Sequence, residues 1–228
     1  MDISTLLGQA AGKWPQASAL HEPATGRRLS FAQLDQALTA FGLALDELDV
    51  EPGARVALLA DASVDYLIAD YGCMANGRVR VPLDPALSQG ELLPQLRDAG
   101  AALLLFSSAY TAMAEALRGE GIECRHLASL TVGCASPQPA RVAQPAQSLA
   151  SLNYTGGTTG VPKAVMHRHA SLCAVLQNVV MGRGALPGDV LLNVRPLWPI
   201  AAVAVLAHLL AGGEVVLGGR FDNKLFLE

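Results

Sequence analysis

A run of glycine, threonine and lysine residues at positions 154–163 has the composition of a loop that holds a polyphosphate. It reads Tyr-Thr-Gly-Gly-Thr-Thr-Gly-Val-Pro-Lys. Glycine lacks a Cβ, so its backbone can adopt positive φ and bring N–H groups close to an anion. Threonine hydroxyls can donate to phosphate oxygens or ligate a metal, and Lys163 adds a full positive charge. These residue types predict phosphate binding.

The spacing within this run excludes two common glycine-rich phosphate loops. A Walker loop has lysine directly after its last glycine and leads into a helix, whereas Val161 and Pro162 separate Gly160 from Lys163. The dinucleotide pattern G-x-G-x-x-G is also excluded, because the glycines of this run have other offsets. The plainer alternative is an ordinary glycine-rich turn between two strands.

Residues 154–163 resemble the signature loop of the adenylate-forming superfamily, which has the pattern Y-[ST]-[SG]-G-[ST]-T-G-x-P-K-G. The superfamily contains acyl- and aryl-CoA synthetases, luciferases and the adenylation domains of peptide synthetases. The run matches this pattern throughout, and Ala164 replaces the usual last glycine. Segments 29–34, 81–85 and 209–217 also resemble family segments, in the same order along the chain. The resemblance therefore covers nearly the whole chain.

The resemblance implies that the loop holds the pyrophosphate end of ATP, with Mg²⁺ shared among the phosphate oxygens. The expected phosphate contacts are Thr155, Thr158, Thr159 and Lys163, and the candidate ligands of Mg²⁺ are Thr158 and Thr159. The glycines expected to permit the backbone shape of this ATP-binding loop are Gly156, Gly157 and Gly160. The implied reaction converts a carboxylic acid, ATP and CoA into acyl-CoA, AMP and pyrophosphate through an acyl-adenylate. The CoA site is expected outside this chain.

Segment 196–202 resembles a family segment that borders the carboxylic acid and usually reads P-[LM]-[FY]-H-x-x-G. Pro199 and Ala202 occupy the places of the histidine and the glycine, so an altered substrate, role or activity is expected. Trp198 is a candidate wall of the substrate pocket, although a core tryptophan fits equally well. His169 is the second pocket candidate, and it either lines the site beside the loop lysine or caps the helix that follows it.

The family's Mg²⁺-binding glutamate, ribose-binding aspartate and C-terminal catalytic lysine have no counterpart up to Glu228. We therefore expect no complete catalytic set in this chain. We expect it to be the N-terminal part of a longer acid–thiol ligase, inactive alone and lacking the C-terminal region. Two alternatives stay open. One is an adenylation domain that loads a carrier protein, and the other is a non-catalytic nucleotide-binding or interaction module.

Alternating helix and strand patterns must position these groups. Ser30, followed three residues later by Gln33, predicts a capping box at the start of a helix over 31–48. Strands without an exposed polar face are predicted over 55–60, 79–83, 101–106 and 122–126, with helices between them. This alternation predicts an α/β fold with layered, mostly parallel sheets flanked by helices. The phosphate loop is predicted to join two strands, 151–154 and 163–167.

A linker is predicted over 135–148, which contains three prolines and three glutamines and has little periodicity. It separates a first α/β subdomain over 1–134 from the start of a second one over 149–228, which carries the phosphate loop. The acidic residues Asp61, Asp65 and Asp70 are expected along a solvated face of the first subdomain.

The amino-acid composition indicates which kinds of partner the chain is expected to bind. The net charge of −4 argues against nucleic-acid binding. Four widely spaced cysteines predict small buried side chains in a reducing cytoplasm. The apolar segment 200–211 is shorter than the roughly 20 residues that span a bilayer. The expected partner is a small-molecule carboxylic acid, and the oligomeric state, including a homo-oligomer, is left open.

Overall fold

Two sheets organise the part of the chain that the structure, a computed structural model, describes: residues 1–131, 141–155 and 163–219. The helices are α1 (Ile3–Lys13), α2 (Phe31–Glu47), α3 (Val64–Ala75), α4 (Gln89–Ala99), α5 (Thr111–Gly119), α6 (His169–Arg183) and α7 (Ala201–Leu210). The strands are β1 (Ser18–Glu22), β2 (Arg27–Ser30), β3 (Arg55–Leu59), β4 (Val79–Pro82), β5 (Ala101–Phe106), β6 (Cys124–His126), β7 (Leu149–Thr155), β8 (Lys163–Arg168), β9 (Val190–Asn193) and β10 (Glu214–Leu217).

The larger sheet has the strand order β6-β5-β3-β4-β7-β8 and carries the candidate site. Its pairings are parallel except for β7 with β8. The larger sheet has a hydrophobic core on each face. Side chains alternate across a strand, so successive residues of β3 pack into opposite cores. Leu58 lies in a core with residues of α2 and α3, and Leu59 lies in a core with residues of α4 and α5. Helices on both faces explain why the interior strands β3 and β5 are largely apolar.

The smaller sheet has the strand order β2-β1-β10-β9. Strands β1 and β2 form an antiparallel hairpin, and β10 pairs in parallel with both β1 and β9. The sheet therefore joins an early hairpin to strands that lie almost 200 positions later. The α/β fold with mostly parallel sheets flanked by helices is confirmed.

Helix boundaries follow local capping chemistry. The predicted capping box of α2 is confirmed. The backbone N–H of Gln33 donates to Ser30 Oγ at 3.2 Å, and the backbone N–H of Ser30 donates to the side-chain oxygen Oε1 of Gln33 at 2.8 Å. Helix α1 was not predicted. It begins after Asp2, whose carboxylate accepts a hydrogen bond from the Thr5 amide at 3.1 Å. Its apolar residues Ile3, Leu7 and Ala10 recur at helical spacing, a signal that the sequence prediction missed.

The structure corrects one prediction about the acidic residues. Asp70 does not lie on a solvated face, because its side chain is fully buried in α3 and pairs with the equally buried Arg80 of β4. The other two acids differ from it: Asp61 is exposed, and Asp65 forms an ion pair with Arg27 while remaining partly accessible. The helical period of three to four residues places Asp70 on the core side.

Each sheet combines strands from both sides of the predicted linker 135–148. Strands β7 and β8 join the sheet of β3 to β6, and β10 pairs with β1. The division into subdomains at that linker stays a prediction, and the sheets themselves do not follow it. Cys73, Cys124 and Cys173 are buried free thiols, as predicted, whereas Cys134 lies outside the described residues. No helix in the described ranges has the length and apolar character needed to cross a bilayer.

Candidate functional site

The β7–β8 hairpin presents the two ends of the predicted phosphate loop. Thr155 ends β7, Lys163 begins β8, and the two residues are partners in the antiparallel register. Thr155 Oγ1 also donates to the Lys163 carbonyl oxygen at 3.4 Å. The intervening site residues lie outside the described ranges; they are Gly156, Gly157, Thr158, Thr159 and Gly160. The prediction that this loop joins two strands is confirmed.

The position of the hairpin in the sheet suits ligand binding. Strand β7 runs parallel to β4, so Thr155 lies at the carboxyl ends of the parallel strands. Ligands of open α/β sheets bind at that edge. Both Thr155 and Lys163 are exposed, and Lys163 has no ion-pair partner among the described residues. A solvent-facing cation without a partner is available to an anionic ligand.

Tyr154 connects the loop end of the β7–β8 hairpin to helix α4. Its hydroxyl donates to Asp98 Oδ2 of α4 at 2.6 Å, and its ring is buried. Burial, and then the hydrogen bond to the Asp98 carboxylate, raise the pKa of Tyr154. The phenol therefore stays protonated and serves as a tether between β7 and α4, directly before the loop.

His169 lies at the opposite end of β8 from Lys163. His169 follows Lys163 by six residues, which corresponds to about 20 Å along an extended strand. The His169 ring is fully buried, and its Nδ1 accepts a hydrogen bond from the Ile3 amide at 3.3 Å. It thus caps the N-terminus of α1, a different helix from the one expected. Burial lowers the pKa of His169, with the Asp2 carboxylate acting against this shift.

Segment 196–202 leads into α7 and contains the other pocket candidate, Trp198. Trp198 is partly buried. The carbonyl oxygen of the next residue, Pro199, accepts hydrogen bonds from Arg80 Nη2 at 3.3 Å and from Asn153 Nδ2 at 3.2 Å. Sequence reasoning missed both donors. The sequence signal that could have revealed them is a charged residue, Arg80, between two valines of β4 and an amide residue, Asn153, within the mostly apolar strand β7.

Polar residues line up across three strands next to this segment. Arg80 of β4 is the register partner of Ser151 in β7, which in turn pairs with His167 in β8. Burial, and then the charge of Arg80, lower the pKa of His167. Burial raises the pKa of Asp70, and its partner Arg80 acts against this shift. Ser151 and His167 thus belong to the phosphate-loop hairpin, and Arg80 connects this row of residues to the start of α7.

A carboxylate-based metal centre is not part of this arrangement. Within the described residues, no three His, Cys, Asp or Glu side chains are grouped so that they could hold a metal ion. The chemistry available at the hairpin is instead hydroxyl groups and one ammonium. Such a donor set suits phosphate oxygens better than a bare cation.

Comparison with known proteins relates the chain to acid–CoA ligases. It is 28% identical to the long-chain-fatty-acid–CoA ligase FadD13 of Mycobacterium tuberculosis (strain ATCC 25618 / H37Rv), over 97% of this chain and 46% of that protein. It is 30% identical to the feruloyl-CoA synthase of an Amycolatopsis species, over 94% of this chain and 45% of that protein. The chain therefore spans less than half the length of these curated relatives.

Solved structures share its fold. An inhibitor-bound N-terminal domain of FACL13 from Mycobacterium tuberculosis superposes with a TM-score of 0.88 at 27% identity, covering 97% of this chain and 58% of that one. The O-succinylbenzoate coenzyme A synthetase (MenE) from Bacillus subtilis, in complex with ATP and magnesium ion, gives 0.84 at 25% identity, with coverages of 97% and 59%. The family model for AMP-binding enzymes matches residues 7–228, so this chain belongs to the AMP-binding enzyme family.

Proposed function

We propose that the complete gene product is an AMP-forming acid–CoA ligase, and that this chain supplies its phosphate-binding part. A carboxylate oxygen attacks the α-phosphorus of ATP, the bond to the bridging oxygen of the β-phosphate breaks, and pyrophosphate leaves. The thiol of CoA then displaces AMP from the acyl-adenylate. The observation that carries this proposal is the placement of Thr155 and Lys163 opposite each other at the exposed end of the β7–β8 hairpin.

The barrier of such a reaction is electrostatic, because the acid and ATP are both anions. A fixed cation and hydrogen-bond donors at the leaving phosphates lower that barrier. Lys163 is exposed and lacks a carboxylate partner in the described ranges, so its charge is available to the leaving phosphates. The tether from Tyr154 to Asp98 holds the base of the loop at a fixed position relative to α4.

The proposed ligand contacts extend into the loop. Thr158 and Thr159 would hold phosphate oxygens and Mg²⁺, and the loop glycines would let the backbone approach them. When bound, Mg²⁺ neutralises phosphate charge. The CoA site and the remaining catalytic groups are proposed to lie outside this chain. The reduced cysteines favour a cytoplasmic protein as part of the same proposal.

The proposed acid is bound beside segment 196–202. Trp198 is the candidate wall of that pocket, and Pro199 offers no imidazole to orient the carboxylate. His169 keeps no such role in the proposal, because it lies at the far end of β8 in contact with α1. The names of the relatives suggest two probes, ferulate and a long-chain fatty acid.

Acid-dependent exchange of pyrophosphate into ATP by the complete gene product tests the proposal. Lys163→Ala should reduce kcat/KM for Mg·ATP by about tenfold or more, since a charge-assisted contact contributes about 1.5–3 kcal/mol. Arg168→Ala at the other end of β8 is the matched control, since Arg168 is also exposed and basic, and it should leave the rate unchanged. Equal rates for Lys163→Ala and the wild type would refute the role of the loop.

Two further outcomes separate the alternatives. Exchange that is followed by acyl transfer to a carrier protein, and not to CoA, would identify a carrier-loading adenylation domain. Binding of Mg·ATP without exchange for any acid would identify a non-catalytic nucleotide-binding module.

A further inference from the structure

An ion pair that is costly to bury lies beneath the start of α7. The side chains of Asp70 and Arg80 are both 0% exposed. Each also keeps one buried polar atom, Asp70 Oδ2 or Arg80 Nε, without a hydrogen-bond partner among the described residues. Burying two charges rarely gains stability over a well-packed apolar pair, and unsatisfied atoms add to the cost. Stability alone therefore does not account for this pair.

The remaining contacts of Arg80 indicate what the pair does. Its Nη1 contacts Asp70, and its Nη2 donates to the carbonyl oxygen of Pro199, 119 positions later in the chain. Asn153 donates to the same carbonyl oxygen. The Asn153 amide is itself oriented, because its Oδ1 accepts a hydrogen bond from Ser151 Oγ at 2.5 Å. One backbone carbonyl thus receives two side-chain donors, which uses both of its lone pairs.

A third side chain holds the same segment from α3. The hydroxyl of Tyr71, the neighbour of Asp70, donates to the Ala202 carbonyl oxygen at 2.8 Å and is fully buried. Helix α7 has no side-chain cap at its N-terminus, where Ile200 is the N-cap residue. The start of α7 is therefore held by long-range contacts to its backbone on both sides of this N-cap.

We propose that Arg80, oriented by Asp70, is a positioning residue that fixes segment 196–202 through the Pro199 carbonyl and thereby sets the acid-binding wall at Trp198. This inference rests on the proposed function for the identity of the ligand. The anchor, which is the hydrogen bond from Arg80 Nη2 to the Pro199 carbonyl oxygen, acts on a backbone oxygen. It therefore operates without the histidine that the resembling family segment usually has. Arg80 acts through the segment and does not touch the acid.

The variant that tests the anchor replaces both charges, Asp70→Leu with Arg80→Met. Apolar replacements of similar size avoid leaving a single buried charge, so this double variant should fold. Arg78→Met is the matched control. Arg78 is also buried, but it pairs with Asp46 and donates to the Val50 carbonyl oxygen at 2.9 Å, which are sites remote from α7.

Fluorine NMR of the chain labelled with 5-fluorotryptophan measures whether the environment of Trp198 changes, without any assay of activity. The chain has two tryptophans, Trp14 and Trp198, and Trp14→Phe assigns their signals. The Trp198 signal should shift or broaden in the double variant and stay unchanged in Arg78→Met. A Trp198 signal that is identical in the double variant and the wild type, or equally altered by Arg78→Met, would overturn the anchor.

The kinetics of pyrophosphate exchange by the complete gene product measure the effect of the double variant on binding of the acid. In the double variant, KM for ferulate or the fatty acid should rise by about tenfold or more, as expected when a binding wall moves by about 1 Å. KM for Mg·ATP should stay within about twofold, because Lys163 lies at another point of the sheet. Asn153→Leu should raise the acid KM in the same direction by less. A parallel rise of both KM values would show a merely structural role and overturn the proposal.

The two proposals fail in different ways. Absence of exchange in the wild type with either acid would refute the ligase function and, with it, the assignment of the wall to an acid. The Trp198 signal would still confirm or overturn the positioning of segment 196–202 by Arg80.

Discussion

Thr155 and Lys163 are register partners at the loop end of the β7–β8 hairpin, and the threonine hydroxyl donates to the lysine carbonyl oxygen. This pairing brings the two ends of the glycine-rich run to one point, at the carboxyl edge of a parallel sheet. A hydroxyl and an ammonium thus flank the same opening. The arrangement differs from a Walker loop, in which a helix N-terminus follows the lysine.

The Thr155 hydroxyl should matter for nucleotide binding and hardly at all for folding. Thr155→Val keeps the shape and suits a strand, so the free energy of unfolding should change by less than about 0.5 kcal/mol, as for most exposed sites. Loss of a hydrogen bond to a charged phosphate should weaken Mg·ATP binding about tenfold. Calorimetric titration and urea unfolding measure the two effects. Thr111→Val, which removes a similar exposed hydroxyl that donates to the Ser108 carbonyl oxygen, should change neither quantity.

The buried pair should show strong coupling in a double-mutant cycle. Asp70→Leu alone leaves the Arg80 charge uncompensated in a fully buried position, so the free energy of unfolding should fall by about 3–5 kcal/mol. Asp70→Leu with Arg80→Met should recover most of that loss, because no buried charge remains. Urea unfolding of the wild type, Asp70→Leu, Arg80→Met and the double variant measures the coupling. Additive losses from the two sites would contradict the account of a coupled pair.

The fold was largely predictable because its signals are local. Apolar runs bounded by Pro and Gly marked the strands of the larger sheet, and the Ser30 capping box marked the start of α2. Helix α1 and the β1–β2 hairpin were missed. They are stabilised by distant partners, as the pairing of Leu20 with Val215 shows. A sequence window cannot contain such a contact.

The candidate site was predictable in part for the same reason. The glycine-rich run identifies itself by residue type and spacing, and the prediction of a strand on each side is confirmed. The roles of Asp70 and His169 were not predictable, since each depends on a partner from another element. A helical period alone could not reveal that Arg80 lies within reach of Asp70, nor that the amide of Ile3 lies against His169.

Stability should depend on pH through His169. Burial lowers its pKa in the folded state below the ordinary value of 6.5, so the unfolded state binds a proton first as the pH falls. Stability should therefore be complete above about pH 7 and fall as the pH drops from 6.5 to the lowered pKa. His169→Asn offers an oxygen to the Ile3 amide without titrating, so its urea midpoint should vary less between pH 5 and 8.

His21→Asn, which removes a histidine from β1, is the control that separates the effect of His169 from the loss of any histidine. A slope that is equally steep in His169→Asn would assign the effect to another group. His167 is the next candidate, since burial and Arg80 lower its pKa as well.

Close packing of α2 against α3 should make one glycine intolerant of a methyl group. A Cβ on Gly72 would lie 2.5 Å from Cδ1 of Phe41, whose ring is fully buried. Gly72→Ala should therefore reduce the free energy of unfolding by about 1–3 kcal/mol through overpacking, although alanine favours a helix. Gly8→Ala in α1 is the matched control: a Cβ there meets no atom within 4 Å, so helix propensity should stabilise the chain by about 0.5–1 kcal/mol. Urea unfolding of both variants measures the difference in sign, and Phe41→Leu should relieve part of the Gly72→Ala clash. Equal stabilisation by both alanines would show that the two helices lie farther apart than the Phe41 contact requires.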